Sequence, residues 1–271
     1  MKIVSGTVVP GFVDGQEWAA CFGLSWADLL LHDQAGSNRI IRPGGQYIRK
    51  VAGTMGVAAG RNEIVAHFLA NTDGQWLFMV DTDMGFAPDT VDRLVASAVA
   101  NNAGVLGALA FAQKIDRDLR QNDLYSARYR IQPTLYYMAT VADTGETGFR
   151  ATTRYRRDAY QKVDGTGAAC LLIAREVLEK VGPDPFTPMT VKGAGGSGAP
   201  RTFSEDLSFC VRAAAADFEI GVDTSIKTTH YKGGLFLDET TFAMQQETLI
   251  QAKGHAIARE VEAKINAGVP A

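Results

Sequence analysis

Cysteine, long apolar runs and an excess of either charge are all scarce in this sequence of 271 residues. Its 3 cysteines are too few and too scattered for a disulfide framework or a paired-cysteine zinc site. Lys and Arg number 27 against 30 Asp and Glu, and this near balance argues against a nucleic-acid partner, since phosphate-binding proteins normally carry a basic excess. No apolar stretch approaches the roughly 20 residues that span a bilayer. We therefore expect neither a nucleic-acid-binding protein nor a transmembrane segment.

The cysteines and the N-terminus both indicate a cytoplasmic location. Cys170 lies in an apolar run and Cys210 in a helical pattern, which is typical of buried free thiols in a reducing compartment. The segment MKIVSGTVVPGF carries one Lys and a short apolar run that Gly6 and Pro10 interrupt. Such a segment is typical of an opening strand and not of a secretory signal.

Strand-like and helix-like hydrophobic periods alternate along the chain, which predicts an α/β fold. The clearest strand is the continuous apolar run over 76–80, of the kind found in central parallel strands. A first strand is predicted over 2–9, ended by Pro10-Gly11, and the polar segment 112–130 is predicted to be a long loop. Further strands are predicted over 104–111, 131–140, 147–155, 168–173 and 219–231, and helices over 54–70, 175–181 and 239–267, with others from Pro88 and from Ser204.

Two carboxylates follow the predicted central strand at the point where it ends. Asp81 and Asp83 are two positions apart there, and ligands of open α/β sheets bind at the carboxyl ends of the strands. Close like charges raise one carboxyl pKa strongly, and a divalent cation would remove this conflict because it takes hard oxygen ligands. The alternative is a strand-end turn with two solvated Asp side chains.

His230 follows the last predicted strand, in the segment TTHYKGG. The Lys and the two Gly residues after it suit a loop at a binding site, and an imidazole beside carboxylates would complete a mixed metal site. The alternative is a structural His that is satisfied by hydrogen bonds.

Three other features suit the same site. Glu205 and Asp206 begin a predicted helix, where one could act as a base or position an acceptor, although the helix N-terminus alone would stabilise their charge. Arg61 suits a phosphate or a planar base, or a salt bridge on a helix surface. The segment Gly165–Gly167 permits close approach of the backbone to a ligand, or forms a plain tight turn.

Taken in order, these segments resemble the nucleotide-sugar-dependent glycosyltransferases with the GT-A fold, similar to family-2-like enzymes and to compact phage-encoded members. The resemblance covers about residues 1–235. It implies an α/β fold with a Rossmann-like, mainly parallel central sheet flanked by helices, a smaller mixed acceptor-side region and a C-terminal helix. The segments that carry it are Val9-Pro10-Gly11, Arg61-Asn62, WLFMVDTDMGF, VDGTGAACLLIAREVLEKVG, SEDLSFCVRAA and DTSIKTTHYKGG.

The resemblance also implies how the chain is divided. Residues 1–235 would form a single catalytic domain, with 1–111 as its nucleotide-binding half and 112–235 as the half that holds the donor sugar and the acceptor. Residues 236–271 would form a helical extension, which we expect to pack on the domain or against a second subunit of a homodimer.

Roles for individual residues follow from the resemblance. The implied protein ligands of a Mn²⁺ or Mg²⁺ ion are Asp83 and His230, with Asp81 binding the ribose or reaching the ion through water. Glu205 and Asp206 are the implied catalytic or acceptor-facing acids. The other implied donor contacts are Pro10, Gly11 and Arg61 beside the uracil or other base, Gly165, Thr166 and Gly167 facing the donor sugar, and Lys232 near the diphosphate.

The implied reaction is metal-dependent and hexosyltransferase-like. A sugar would move from a nucleotide diphosphate sugar, with a UDP-sugar favoured, to a hydroxyl of a protein, a glycan or a small molecule. A phage-encoded enzyme would act in the host cytoplasm. The stereochemistry stays open, because the acidic pair is typical of inverting members and the late His of retaining ones. One alternative is a non-catalytic nucleotide- or carbohydrate-binding domain. The other is a DxD phosphohydrolase, although that class places the motif near its first strand.

Overall fold

The computed structural model describes residues 3–14, 18–41, 47–51, 56–115, 129–195 and 198–266. Its helices are α1 (Ala20–Ala35), α2 (Gly56–Asn71), α3 (Thr90–Asn101), α4 (Arg175–Val181), α5 (Glu205–Ala215) and α6 (Glu239–Asn266). Its strands are β1 (Val8–Asp14), β2 (Ile48–Val51), β3 (Trp76–Val80), β4 (Met84–Phe86), β5 (Val105–Leu109), β6 (Phe111–Ile115), β7 (Tyr129–Pro133), β8 (Leu135–Thr140), β9 (Thr147–Ala151), β10 (Tyr160–Lys162), β11 (Gly165–Thr166), β12 (Cys170–Ala174), β13 (Thr190–Val191), β14 (Arg201–Thr202), β15 (Ile220–Lys232) and β16 (Leu235–Leu237).

One mixed sheet organises the fold, in the strand order β10-β15-β5-β12-β3-β1-β2. Strands β2, β1, β3, β5 and β15 run in one direction, while β12 and the edge strand β10 run against them. The predicted apolar run over 76–80 is β3, and all five of its residues are buried. The structure therefore confirms a mainly parallel α/β sheet, whose parallel strands end at one edge.

The first strand continues through the turn that the sequence predicted. β1 runs on to Asp14, and Pro10 and Gly11 are buried in its interior. The backbone of Val8 exchanges hydrogen bonds with the segment 39–41, so Pro10, two residues on, faces the same side. Pairing with β2 begins only at Gly11. In the described ladder, therefore, no hydrogen bond is lost because Pro10 has no N–H group. The predicted strand end at Pro10-Gly11 is wrong for this reason.

Replacing Gly11 by Ala is expected to lower the free energy of unfolding by about 1–3 kcal/mol, the usual range for overpacking a core. A Cβ atom there would lie 2.6 Å from Cγ2 of Ile64 and 3.3 Å from Cδ1 of Leu77, so α2 would have to shift on β1. Equilibrium unfolding in urea measures the change. Gly23→Ala in α1 is the matched control, because no atom of the described residues lies within 4 Å of a Cβ at that position. Equal losses at the two positions would contradict this packing.

The predicted loop over 112–130 contains a strand pair. β6 and β7 pair antiparallel at its two ends, and residues 116–128 lie outside the described residues. Distant contacts stabilise the pair: Phe111 lies 5.3 Å from Phe242 of α6, measured between ring centroids. The side chain of Gln245 in α6 also bonds the backbone of β7. The prediction of a loop rested on the polarity of the segment itself. It missed the strands because the residues that stabilise them are more than 100 positions away.

β15 is a single strand of 13 residues that changes partners along its length. Its first part pairs with β5 in the main sheet, and the register shifts between Asp223 and Lys227. Its last part pairs with β4 and β16, where His230 lies opposite Met84. The predicted closing strands over 219–231 are thus one irregular strand, which brings His230 to the segment that follows β3.

The C-terminal helix α6 packs on the domain through its first turns. Phe242 is 5% exposed and also lies near Tyr155, with 6.3 Å between ring centroids. Farther along the helix, Met244 and Ile250 are exposed. Within the described part of the chain, no helix is long and apolar enough to cross a membrane.

Candidate active site

The loop after β3 and the end of β15 bring Asp83 and His230 together. Nε2 of His230 lies 3.2 Å from Oδ2 of Asp83, although 147 positions separate the two residues. Nδ1 of the same ring lies 2.9 Å from the carbonyl oxygen of Phe111. That second contact fixes the ring orientation, so Nε2 is the nitrogen that faces Asp83.

The surroundings keep Asp83 ionised. Burial would raise its carboxyl pKa, but the hydrogen bond and charge of His230, together with Lys232, lower that pKa to about 2. Nζ of Lys232 lies 2.9 Å from the same Oδ2 atom. For His230, burial would lower the imidazole pKa, but Asp83 outweighs burial and raises it. At neutral pH, Asp83 is therefore a carboxylate that lies between the imidazole of His230 and the ammonium group of Lys232.

The chemistry of these side chains fits a divalent cation. Oδ1 of Asp83 is buried and has no hydrogen-bond partner among the described residues, a costly state that an ion ligated there would relieve. In the described part of the chain, no group of three or more His, Cys, Asp or Glu side chains is placed to hold a metal ion. Asp83 and His230 are the two side chains that lie together at this point, and Asp81, the third predicted ligand, bonds Arg61. Two protein ligands suit ions that take their remaining ligands from water and substrate phosphates.

Asp81 turns to a different partner. Its Oδ1 accepts a hydrogen bond from Nη2 of Arg61 at 2.8 Å, and Nη1 of the same guanidinium donates to Oε1 of Glu205 at 2.7 Å. Arg61 is only 4% exposed. Burial would lower the guanidinium pKa, but the charges of Asp81 and Glu205 outweigh burial and raise it. The predicted alternative, a salt bridge on a helix surface, is wrong because the guanidinium is buried, although the side chains of Asp81 and Glu205 are 29% and 21% exposed.

Glu205 and Asp206 occupy different surroundings at the start of α5. Glu205 is held by Arg61, whereas Oδ1 of Asp206 accepts hydrogen bonds from the Ser204 hydroxyl and from the backbone N–H of Leu207. Ser204 stands at the predicted N-cap, but its side chain makes no capping bond to the helix backbone. The two adjacent acids therefore differ: Glu205 is in an ion pair with Arg61, whereas Asp206 is not.

The predicted donor-sugar segment presents one half-exposed residue. Gly165 and Thr166 are buried in β11, and a Cβ at Gly165 would lie 2.7 Å from the ring of Phe149. Gly167 is half-buried, and a Cβ there would lie 3.7 Å from Oδ2 of Asp206. Of the three residues, Gly167 is the one whose backbone a ligand beside Asp206 can approach.

Sequence reasoning missed a cavity that borders Asp83. It measures about 590 Å³, and Asp83 is part of its lining. Trp18, Tyr231 and Phe236 also line it, with exposed fractions of 37%, 38% and 51%. Nε1 of Trp18 donates to Oδ1 of Asp14 at 2.6 Å, which fixes the indole. Aromatic residues on both sides of a Lys-Gly-Gly turn were the signal that could have found it.

Comparison with known proteins supports one family. The model of glycosyl transferase family 2 matches residues 34–182, a range that includes Arg61, Asp81 and Asp83 but ends before Asp206 and His230. No curated protein sequence matches this chain. Among solved structures, A197 from STIV is similar with 17% identity and a TM-score of 0.50, over 86% of this chain and 90% of that one. A structure of GalNAc-T7 with UDP, GalNAc and Mn²⁺ is similar with 12% identity and a TM-score of 0.48, over 84% of this chain and 44% of that one.

The family match and the fold agree. The matched range contains β3 and the two Asp residues that follow it, and the mixed α/β sheet of the described residues is the architecture that the sequence predicted. Because the family model spans more than half of the sequence, this chain belongs to glycosyl transferase family 2 and is a glycosyltransferase of the GT-A fold.

Proposed function

We propose that this glycosyltransferase moves a sugar from a nucleotide diphosphate sugar, with a UDP-sugar favoured, to an acceptor hydroxyl, and that it needs Mn²⁺ or Mg²⁺. The observation that carries the proposal is the 3.2 Å approach of His230 to Asp83, whose other carboxylate oxygen is buried and has no partner in the part of the chain that the structure describes. When bound there, the ion would supply Lewis-acid stabilisation of the charge that develops on the departing diphosphate.

The protein side chains have separate tasks in this proposal. Asp83 stays a carboxylate because of its low pKa, and the carbonyl of Phe111 holds the His230 ring in place for ligation. Lys232 is half exposed at its side chain, so its ammonium group is free to leave Asp83 and contact the diphosphate. The three residues together would bind and orient the diphosphate.

The order of groups in the donor suggests where each part lies. The sugar would lie at Gly167 and Asp206, and the diphosphate at Asp83. The nucleoside, on the other end of the diphosphate from the sugar, would then lie in the cavity that borders Asp83. Trp18 and Tyr231 line this cavity with exposed aromatic rings on which a base can stack. We propose this cavity as the base site, in place of the buried Pro10, Gly11 and Arg61. Asp81 stays our proposal for the ribose contact.

Asp206 is our proposed catalytic base. Its Oδ1 is held by Ser204 and Leu207, which fixes the carboxylate, while Oδ2 faces Gly167. A carboxylate held in this way can accept the proton of an acceptor hydroxyl as that oxygen attacks the sugar. Glu205 is engaged by Arg61, so we assign it no proton transfer.

The remaining organisation is also proposed. Residues 1–111 contribute Asp83 and residues 112–235 contribute Asp206 and His230, which supports a nucleotide-binding half and a sugar and acceptor half of one domain over 1–235. Residues 236–271 would be a helical extension. The exposed Met244 and Ile250 of α6 support contact with a second subunit, and the three free cysteines support a cytoplasmic location.

A thermal-shift screen tests the function directly. Nucleotide sugars are added with and without Mn²⁺, and a ligand that binds only the native state raises the melting temperature. We expect a shift that depends on the base and requires the ion. Slow hydrolysis of the same nucleotide sugar without acceptor would then separate a transferase from a non-catalytic binding domain. If no nucleotide sugar shifted the melting temperature, with or without Mn²⁺, the proposal would be refuted.

Replacing Trp18 by Ala is expected to raise the KM for the donor about 10-fold with little change in kcat, because base stacking contributes about 1–3 kcal/mol. Steady-state kinetics with the donor identified by the screen measures this. Trp18→Phe is the matched control, because it keeps a ring face but loses the bond to Asp14. If the Ala and Phe variants share the wild-type KM, the base lies elsewhere.

A further inference from the structure

We propose that Arg61 is a positioning residue that fixes the cation side of the site relative to the catalytic base, by bridging Asp81 and Glu205. The inference rests on the proposed function, because it takes Asp83 as the cation ligand and Asp206 as the base. It adds a role for a residue that the resemblance placed beside the nucleotide base.

The bridge joins two functional positions that are far apart in the sequence. Asp81 lies two residues before Asp83, and Glu205 lies directly before Asp206. One guanidinium contacts both neighbours, at 2.8 Å and 2.7 Å. Because the fork of nitrogens is rigid and planar, these two bonds fix how far the end of β3 lies from the first turn of α5.

The surroundings of the guanidinium indicate a role beyond stability. Arg61 is 4% exposed, and its Nε atom is buried with no hydrogen-bond partner within the described ranges. The guanidinium also lies 6.0 Å from the ring centroid of Phe186. Buried ion pairs of this kind are often replaceable by apolar residues without loss of stability. A purely structural requirement would therefore not demand an arginine with one unsatisfied nitrogen.

Lysine cannot reproduce the bridge. Its ammonium group is a point charge on a flexible chain, whereas Arg61 uses two separate nitrogens to contact Asp81 and Glu205 at once. Arg61→Lys keeps the charge and loses the geometry, and Arg61→Met loses both. If the bridge sets the positions of Asp81 and Glu205, neither variant should reach the wild-type rate.

The test separates a positioning role from a structural one. We expect Arg61→Met to lower kcat about 100-fold, the loss that a misplacement of about 1 Å produces. The KM for the donor should change less than about threefold, because binding shared by ground and transition states is kept. We expect Arg61→Lys to restore at most part of the rate. Amide exchange in the first turn of α5 should be faster in both variants, and this readout needs no activity.

Arg175→Met is the matched control. Arg175 is another largely buried arginine, whose guanidinium bonds the backbone carbonyls of Phe68, Thr72 and Gly74 away from the site. Its loss should lower stability while leaving kcat and exchange at the start of α5 unchanged. Equal losses of kcat in the two Met variants, or a loss at Arg61 that appears only in KM, would overturn the proposal.

A second variant covers the case in which Arg61→Met does not fold. Glu205→Gln removes one charge from the bridge at a side chain that is 21% exposed, and we expect kcat to fall about 10-fold. A folded Glu205→Gln protein with the wild-type rate and exchange would overturn the proposal. Failure of the proposed function looks different: the wild type itself would bind no nucleotide sugar, and exchange at α5 would still report on the bridge.

Discussion

Asp83→Asn is expected to lower kcat/KM for sugar transfer about 10³-fold while the protein stays folded, because in our proposal the ion that binds the diphosphate loses one charged ligand. Asn keeps the shape of the side chain, and its neighbours His230 and Lys232 remain. The side chain is 27% exposed and not part of the apolar core, so unfolding is not expected. Kinetics over a range of Mn²⁺ concentrations measures both the rate and the apparent affinity for the ion.

Asp89→Asn is the control for this substitution. Asp89 stands at the N-cap of α3, six positions beyond Asp83, and its side chain makes no capping bond. Asn is as good a residue as Asp at an N-cap, so neither the rate nor the Mn²⁺ requirement should change. If Asp83→Asn kept the wild-type dependence on Mn²⁺, the ligand assignment would be wrong.

Asp206→Asn should lower kcat about 10³-fold, within the range of about 10²–10⁴ that general-base catalysis contributes. The amide keeps an acceptor oxygen for Ser204 and Leu207, so α5 should begin as before. What it loses is the ability to take the proton from the acceptor hydroxyl. The donor KM should change little, because in our proposal Asp206 contacts the reacting atoms and not the nucleotide.

The control and the product both bear on this second prediction. The control is Asp217→Asn. Asp217 lies just beyond the other end of α5, in a left-handed backbone conformation that Asn tolerates, so the variant should have the wild-type rate. Equal rates in Asp206→Asn and Asp217→Asn would remove Asp206 as the base. Proton NMR of the product gives its anomeric configuration, and a retained configuration would remove a one-step mechanism even if the rate falls.

The parts of the fold that could be predicted from the sequence are those with strong local signals. The apolar run over 76–80 forms β3 because five buried residues in succession suit a strand covered on both faces. The helix predicted over 175–181 is α4, with the same bounds. The approach of His230 to Asp83 was also predicted, through the resemblance and not through any local pattern.

Long-range contacts decided what could not be predicted. Pro10 signals a strand end locally, but among the described residues Val8 bonds the segment 39–41 and Gly11 pairs with Ile48, so β1 continues past Pro10. Arg61 in a helical pattern looks like a surface residue, and its burial follows only from two carboxylates 20 and 144 positions away. Trp18 and Tyr231 share a cavity because the start of α1 and the end of β15 meet there, and the aromatic residues around the Lys-Gly-Gly turn do not indicate that Trp18 joins them.

The measurement that tests the central claim most directly is pulsed electron paramagnetic resonance of the wild-type protein with Mn²⁺ and UDP. One ion held by Asp83 and His230 and bound to the diphosphate should show ¹⁴N coupling from the imidazole and ³¹P coupling from the nucleotide in the same spectrum. His230→Gln should remove the ¹⁴N coupling. Phosphorus coupling without nitrogen coupling in the wild type would show an ion bound by the nucleotide alone and would contradict the account.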